Sequence, residues 1–141
     1  MLKGISPIIS PELLKILMEM GHGDEICIGD GNFPAASIAQ RLVRLDGHGV
    51  TEVLDAILQL MPLDTYVEAP VSLMQVVPGD PVVPTIWDEY KEVIKKREGD
   101  KKIENIERFA FYEKAKKCYA VVATGESAIY ANIILKKGVV K

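Results

Sequence analysis

One stretch of the sequence predicts the centre of the fold: Met20-Gly21-His22-Gly23-Asp24-Glu25-Ile26-Cys27-Ile28-Gly29-Asp30-Gly31-Asn32-Phe33-Pro34. It begins at the expected end of a helix, continues through a short apolar run typical of a buried strand, and reaches a carboxylate where that strand should stop. A single imidazole, His22, lies between two glycines that leave its ring uncrowded. This arrangement is typical of a binding site, but Gly21 as a helix C-cap and His22 in an exposed turn explain it equally well.

The rest of the chain alternates between helix and strand patterns around this stretch. Ser10-Pro11-Glu12 predicts a helix start, with a serine N-cap and a proline in the first turn, and Gly21 is expected to end that helix. Four further helices are predicted: from Pro34 to Ala39, from an N-cap at Thr51 to Pro62, along the apolar stripe from Ile86 to Ile94, and over 109–115. Six strands are predicted, over 26–28, 42–45, 71–77, 103–106, 119–123 and 129–135. The alternation predicts one α/β domain over residues 1–141, layered, with a parallel or mixed sheet flanked by helices.

The composition excludes several classes of protein. With 48% apolar and 26% charged residues in 141, the chain has the composition of an ordinary globular domain. A formal net charge of -3 argues against a protein that binds nucleic acid through phosphate contacts. No run approaches the ~20 apolar residues of a membrane span, and Met1-Leu2-Lys3-Gly4 is not followed by a signal-peptide core. We therefore expect neither nucleic-acid nor membrane partners.

Both cysteines lie in apolar, strand-like runs. Cys27 and Cys118 are therefore expected to be buried and reduced, which is typical of a cytoplasmic protein. The same apolar neighbours should raise the thiol pKa values, so nucleophilic catalysis by cysteine is not favoured.

Metal and nucleotide sites have weak support in the sequence. His22, Asp24, Asp30 and His48 are possible metal ligands, but none are paired at metal-binding spacing, and the acids also fit caps and turns. The loop around Asp30 has two glycines but lacks the third glycine of a dinucleotide motif and the Lys-Ser/Thr of a P-loop. We expect no metal and no cofactor.

Once cysteine, metal and nucleotide chemistry are set aside, acid–base chemistry on a polyhydroxylated ligand is the remaining hypothesis. A set of polar residues falls at or near the predicted strand ends, where α/β folds gather ligands: His22, Asp30, Asp64, Arg108, Tyr112, Tyr130 and Asn132. Such a set suits a sugar, because each hydroxyl both donates and accepts hydrogen bonds. Each residue also has an ordinary structural explanation, such as a salt bridge or a turn.

Longer motifs in a fixed order narrow this hypothesis. They are Ile8-Ile9-Ser10-Pro11-Glu12-Leu13-Leu14, Met20-Gly21-His22-Gly23-Asp24-Glu25-Ile26, Asp30 with Asn32-Phe33-Pro34, Pro62-Leu63-Asp64-Thr65-Tyr66-Val67-Glu68, Glu107-Arg108-Phe109 with Phe111-Tyr112-Glu113, Thr124-Gly125-Glu126, and Tyr130 with Asn132-Ile133-Ile134-Leu135-Lys136-Lys137-Gly138. Together they resemble the L-fucose mutarotase branch of the ribose-pyranase and fucose-mutarotase family, from about Leu2 to Gly138.

The resemblance implies a role for each site residue. His22 falls on the family's proton-donating histidine. The sugar-binding positions fall on Asp30, Asp64, Arg108, Tyr112, Tyr130, Ala131 and Asn132. Arg108 favours the fucose branch, because the ribose-specific relatives tend to carry histidine there. His22 is accordingly expected to share a cavity with Asp30 or Asn132.

The resemblance also implies an activity and an assembly. The activity is cofactor-independent interconversion of the α and β anomers of L-fucopyranose; ribose pyranose–furanose exchange and non-catalytic sugar binding are the alternatives. The assembly is a homo-oligomer, a decamer of two stacked pentamers with sites near subunit contacts. The sequence departs from the family pattern in two places. Ala131 stands in place of glycine, and it is expected to shift the backbone if that residue needs positive φ. Gly29 and Gly31 flank Asp30, and they are expected to loosen its loop.

Overall fold

A six-stranded mixed sheet forms the centre of the computed structural model, which describes residues 1–141. The strands are β1 (Glu25–Gly29), β2 (Leu42–Leu45), β3 (Val71–Met74), β4 (Ile103–Ile106), β5 (Ala120–Thr124) and β6 (Ile133–Lys136), in the spatial order β2-β5-β1-β6-β3-β4. The helices are α1 (Pro11–Glu19), α2 (Ala35–Ile38), α3 (Val50–Leu58), α4 (Ile86–Glu98) and α5 (Arg108–Lys117). The predicted layered α/β domain with a mixed sheet is confirmed.

The direction of the strands decides which loops meet. β1 runs parallel to β5, β5 to β2 and β3 to β4, whereas β6 runs antiparallel to both of its neighbours, β1 and β3. The start of β6 therefore lies at the edge where β1, β3, β4 and β5 end. We call this the carboxyl edge of the sheet and the opposite one the amino edge.

Both faces of the sheet are covered by helices. Ile26 and Ile28 of β1 point into the larger core, beneath α1, α3 and α4, while Cys27 between them points into the smaller core beneath α2 and α5. Because successive strand residues face opposite sides, a sheet buried on both faces needs apolar residues at consecutive positions. This explains the unbroken apolar run in β1.

Several element boundaries differ from the predictions, and hydrogen bonds explain one of them. α1 starts as predicted, with the Ser10 hydroxyl accepting from the Leu13 N–H at 3.2 Å, but ends at Glu19 rather than at Gly21. α3 begins at Val50, so the predicted N-cap at Thr51 is wrong. The Glu126 carboxylate accepts the Val50 N–H at 3.1 Å, which satisfies the helix start from a distant loop.

Two predicted strands are shorter than expected, and both lose residues at the carboxyl edge of the sheet. β3 ends at Met74 instead of continuing to Val77, and β6 begins at Ile133 instead of Ile129. Tyr130 has a φ of 56°, which lies in the left-handed region and is incompatible with an extended strand. The residues that leave the sheet here are free to form a cavity wall.

Both cysteines are buried and unpaired, as predicted. Burial raises the pKa of the Cys118 thiol to about 12 and that of Cys27 well above its usual range, which disfavours a nucleophilic thiolate at either position. None of the helices combines the length and apolar character that crossing a bilayer requires.

Candidate active site

A cavity of about 280 Å³ opens at the carboxyl edge of the sheet. Its walls come from the loops after β1 and β3, from the first two turns of α5, which follows β4, and from the segment before β6. The residues that line it are Asp30, Asn32, Phe33, Met74, Val77, Asp80, Arg108, Tyr112, Ile129, Tyr130 and Asn132. Five of the predicted sugar-binding residues therefore meet in one place, because the strands that carry them end or begin at the same edge.

Asp30 is the buried acid of this cavity. Its backbone N–H donates to Asn132 Oδ1 at 2.8 Å, which ties the end of β1 to the start of β6. One carboxylate oxygen accepts the Asn32 N–H at 3.0 Å, and the other accepts the Ala131 N–H at 3.4 Å. Burial raises the pKa of the Asp30 carboxyl despite these hydrogen bonds. Asp30 is thus a fixed acceptor from which water is largely excluded.

The glycines beside Asp30 tighten its loop rather than loosen it. A Cβ on Gly29 would lie 2.7 Å from the Cβ of Phe33, and one on Gly31 would lie 3.0 Å from the Glu126 carbonyl oxygen. The Gly31 N–H donates to that carbonyl at 2.8 Å. Close approach of the backbone therefore explains both glycines.

Two side chains of α4 hold the segment before β6. Trp87 Nε1–H donates to the Tyr130 carbonyl at 2.7 Å, and the Tyr90 hydroxyl donates to the Ala131 carbonyl at 2.6 Å. Tyr130 is the only residue other than glycine with positive φ, so Ala131 does not need the left-handed conformation. The expected backbone shift from alanine at this position is not found.

Arg108 and Tyr112 come from the first turns of α5, directly after β4. The Glu107 carboxylate caps this helix by accepting the Phe109 and Ala110 N–H groups, both at 3.0 Å. One turn apart on the helix, Arg108 Nε–H donates to the Tyr112 hydroxyl at 3.2 Å. A cation and a phenol therefore stand together at the rim of the cavity.

His22 lies at the amino edge, away from this cavity. Its Nε2 is 2.9 Å from Asp64 Oδ1, its ring centroid is 5.1 Å from that of Tyr66, and 45% of its side chain is exposed. Burial would raise the pKa of the Asp64 carboxyl, but hydrogen bonds from the Tyr66 N–H and from His22 outweigh burial and lower it. Asp64 is therefore an ionised partner for the ring.

The whole of β1 separates His22 from Asp30. The five residues of the strand rise about 16 Å at ~3.3 Å per residue. His22 does not line the cavity, and neither does Asp64. The expectation that His22 shares a cavity with Asp30 or Asn132 is therefore not met within one chain.

The possible metal ligands named from the sequence do not converge. His48 Nδ1 pairs with Glu52 Oε1 at 2.9 Å, and His22 pairs with Asp64. The structure holds no group of three or more His, Cys, Asp or Glu side chains placed to bind a metal ion.

Three side chains that line or support the cavity were not predicted to do so: Asp80, Trp87 and Tyr90. Pro78-Gly79-Asp80-Pro81 has the residue pattern of a turn, and Tyr90 lies on the predicted apolar stripe from Ile86 to Ile94. A polar group on an otherwise apolar stripe was the available signal for Tyr90, because a buried phenol requires a hydrogen-bond partner.

The comparison with protein families decides the relationship. Residues 3–140 match the RbsD / FucU transport protein family. The chain belongs to this family. The resemblance inferred from the sequence motifs is thereby confirmed.

Within the family, curated relatives cover almost all of the chain. The L-fucose mutarotase of Actinobacillus pleuropneumoniae serotype 5b is 56% identical over 140 residues, which span 99% of this chain and 97% of that protein. The human fucose mutarotase is 50% identical over 144 residues, spanning 98% of this chain and 94% of that protein.

Solved structures of the family share the fold. FucU from Bifidobacterium longum has a TM-score of 0.96 and 59% identity, covering 99% of this chain and 100% of that one. The fucose mutarotase of Streptococcus pneumoniae, in complex with L-fucose, has a TM-score of 0.96 and 55% identity at the same coverage. Bacillus subtilis RbsD complexed with D-ribose has a TM-score of 0.78 and 23% identity over 100% of both chains, which shows a shared fold only.

Proposed function

We propose that this protein is an L-fucose mutarotase, an isomerase that interconverts the α and β anomers of L-fucopyranose. The observation that carries the proposal is similarity over nearly the whole chain to proteins named fucose mutarotase, at 56% and 50% identity. The relative of known structure that is bound to L-fucose has a TM-score of 0.96. The ribose-binding relative, at 23% identity, gives no comparable support for ribose as substrate.

The chemistry of the cavity suits a monosaccharide. Asp30 supplies acceptors and Arg108 supplies donors, while Asn132 and the phenols of Tyr112 and Tyr130 add further hydrogen-bonding groups. Phe33 and Met74 add apolar surface for the carbon-bound face and the methyl group of fucose. We propose these five polar residues, with the backbone of Ala131 as their support, as the sugar-binding set.

The reaction needs proton transfer alone. A proton reaches the ring oxygen, another leaves the anomeric hydroxyl, the C1 to ring-oxygen bond breaks, C1 rotates and the ring closes again. No electrons are gained or lost overall. Histidine is the side chain that gives and recovers protons near neutral pH, and we propose His22 as that acid.

Asp64 is better suited to holding His22 than to binding the sugar directly. Its carboxylate lies 2.9 Å from the His22 ring and is itself fixed by the Tyr66 N–H at 3.1 Å. A carboxylate in this position selects the tautomer and the orientation of an imidazole. We therefore propose that Asp64 positions the proton donor.

A homo-oligomer would bring the two parts of the site together. We propose that His22 of one protomer approaches the cavity of a neighbour, because a sugar cannot span β1 within one chain. Exposed apolar side chains around the cavity support a covering partner: Val77 is 38% exposed, Phe109 64% and Ile129 46%. The stacked-pentamer decamer implied by the resemblance is one assembly that would supply such contacts.

Two buried, unpaired thiols support a cytoplasmic location.

Saturation-transfer NMR of L-fucose tests the function. Irradiation of one anomeric proton should reduce the signal of the other in proportion to the exchange rate, and the protein should raise that rate above its value in buffer. A parallel experiment with D-ribose distinguishes the ribose pyranose–furanose activity. Thermal stabilisation by L-fucose with an unchanged exchange rate would instead identify a non-catalytic sugar-binding protein.

A further inference from the structure

Asp80 contacts Tyr130 across the cavity wall. The Tyr130 hydroxyl donates to Asp80 Oδ2 at 2.7 Å, while Asp80 Oδ1 accepts the Val82 N–H at 3.1 Å. Asp80 and Tyr130 both line the cavity, on loops that follow β3 and precede β6. The carboxylate thus joins two loops that the sheet places side by side.

This contact determines what the Tyr130 oxygen can offer a ligand. A phenol has one proton to donate and two lone pairs that accept. The proton is given to Asp80, since a carboxylate only accepts, and the Val77 N–H donates to the phenol oxygen at 3.3 Å. The hydrogen bond to Asp80 and partial burial raise the pKa of Tyr130, so the phenol keeps its proton. One lone pair is left to face the cavity.

Tyr112, the other phenol of the cavity, keeps its proton free. Arg108 Nε–H donates to the Tyr112 oxygen at 3.2 Å and so occupies a lone pair. The Tyr112 proton has no acceptor within the chain and is free to donate. The cavity therefore presents one phenol that can only accept and one that can also donate.

We propose that Asp80 is a positioning residue that makes Tyr130 an obligate hydrogen-bond acceptor, so that Tyr130 selects a sugar hydroxyl that donates. This inference rests on the proposed function, because it takes L-fucose as the ligand. The backbone is held separately: Trp87 Nε1–H donates to the Tyr130 carbonyl, whereas Asp80 contacts the hydroxyl at the far end of the Tyr130 side chain.

Fluorinated sugars test the polarity of this contact. Fluorine replaces a hydroxyl with little change in size but cannot donate, so it would face the Tyr130 lone pair as a second acceptor. The probes are L-fucose and the monofluorinated L-fucoses in each of which one non-anomeric hydroxyl is replaced by fluorine. Equilibrium affinity is measured by calorimetry for the wild type, Asp80→Asn, Tyr130→Phe and the control Asp88→Asn, an exposed acid in the first turn of α4.

The expected result is specific to one position of the sugar. In the wild type and in Asp88→Asn, fluorine at one position should weaken affinity about tenfold relative to L-fucose, the cost of leaving a buried polar group unpaired. In Asp80→Asn the amide can donate to the phenol, which frees the Tyr130 proton. The penalty at that position should therefore fall to about threefold or less, and Tyr130→Phe should reduce it similarly.

Two results would overturn the inference. One is an equal fluorine penalty in the wild type and in Asp80→Asn; the other is a loss of affinity in Asp80→Asn that is the same for every sugar, which indicates general loosening of the wall. If Asp80→Asn does not fold, Tyr130→Phe decides, because an unchanged penalty there also contradicts the inference. A wild type that binds L-fucose without accelerating anomer exchange would refute the proposed function and leave this result standing.

Discussion

His22 and Asp30 lie at opposite ends of strand β1. His22 precedes the strand at the amino edge of the sheet, and Asp30 follows it at the carboxyl edge, inside the cavity. Both residues belong to one short stretch of sequence, yet an extended strand moves them apart by about 16 Å. This separation is the reason for our proposal that two copies of the chain supply one site.

The first prediction concerns the proton donor. His22→Ala should lower the fucose exchange rate by about 10²–10⁴-fold, the usual contribution of a general acid, while affinity for L-fucose stays close to the wild-type value. The ring is half exposed, so the fold should tolerate its loss. Saturation-transfer NMR gives the rate and calorimetry the affinity. His48→Ala, the other histidine, is the matched control, and equal rates for the two variants would contradict the assignment.

The second prediction concerns sharing of the site between chains. His22→Ala keeps its cavity and Arg108→Ala keeps its histidine, so mixed oligomers should contain some interfaces with both parts intact. After subunit exchange of equal amounts, random assembly should restore about a quarter of the wild-type rate, since each complete site needs one protomer of each kind in the correct order. A mixture no faster than the sum of the separate variants would place both parts of the site within one chain.

The third prediction follows from the lowered pKa of Asp64. Its ordinary value is 3.8, and in the fold it is lower, so the unfolded chain takes up the proton first as the pH falls. The stability that this carboxylate contributes is thus present above pH 3.8 and is lost as the pH falls through the folded-state pKa.

Denaturant unfolding of Asp64→Asn checks this sign. At neutral pH the variant should be less stable than the wild type by about 1 kcal/mol, because a buried, charged acceptor is lost, and the difference should narrow as the pH falls below 3.8. Asp46→Asn, which removes an exposed pair with Arg44, should show little change at either pH. A difference for Asp64→Asn that widens in acid would show that its carboxyl is protonated more readily in the fold than in the unfolded chain.

The fourth prediction concerns Ala131. Since this residue does not have positive φ, glycine would gain nothing in the folded state and would cost more conformational entropy on folding. Ala131→Gly should therefore lower the free energy of unfolding by about 0.5–1 kcal/mol and leave affinity for L-fucose unchanged. Tighter binding of fucose by the variant would mean that alanine does distort the sugar contacts.

Local sequence patterns predicted most of the fold. The serine and proline at the start of α1 and the apolar run of β1 act through neighbouring residues, and each lies close to its predicted place. The errors fell where a distant residue decides the outcome. Glu126 receives the first N–H of α3 from another loop, and the left-handed Tyr130 delays the start of the last strand to Ile133.

The residues of the candidate site likewise fall into those that the sequence predicted and those that only distant contacts revealed. Motifs in the sequence identified the family and named five of the residues that line the cavity, because their order along the chain is itself a signal. Asp80 gave no such signal beyond a turn. Its hydrogen bond to Tyr130 joins residues 50 positions apart, and no local pattern specifies that pairing.

The sequence by itself determined the alternation of helix and strand, the burial of both faces of the sheet, and the identity of the polar side chains available for chemistry. Those properties follow from residue type and from spacing within a few positions. Only the tertiary structure decided which of these side chains meet. The antiparallel placement of β6 brings Tyr130 and Asn132 to Asp30, and the length of β1 keeps His22 away, because strand direction and register are set by contacts between segments far apart in the chain.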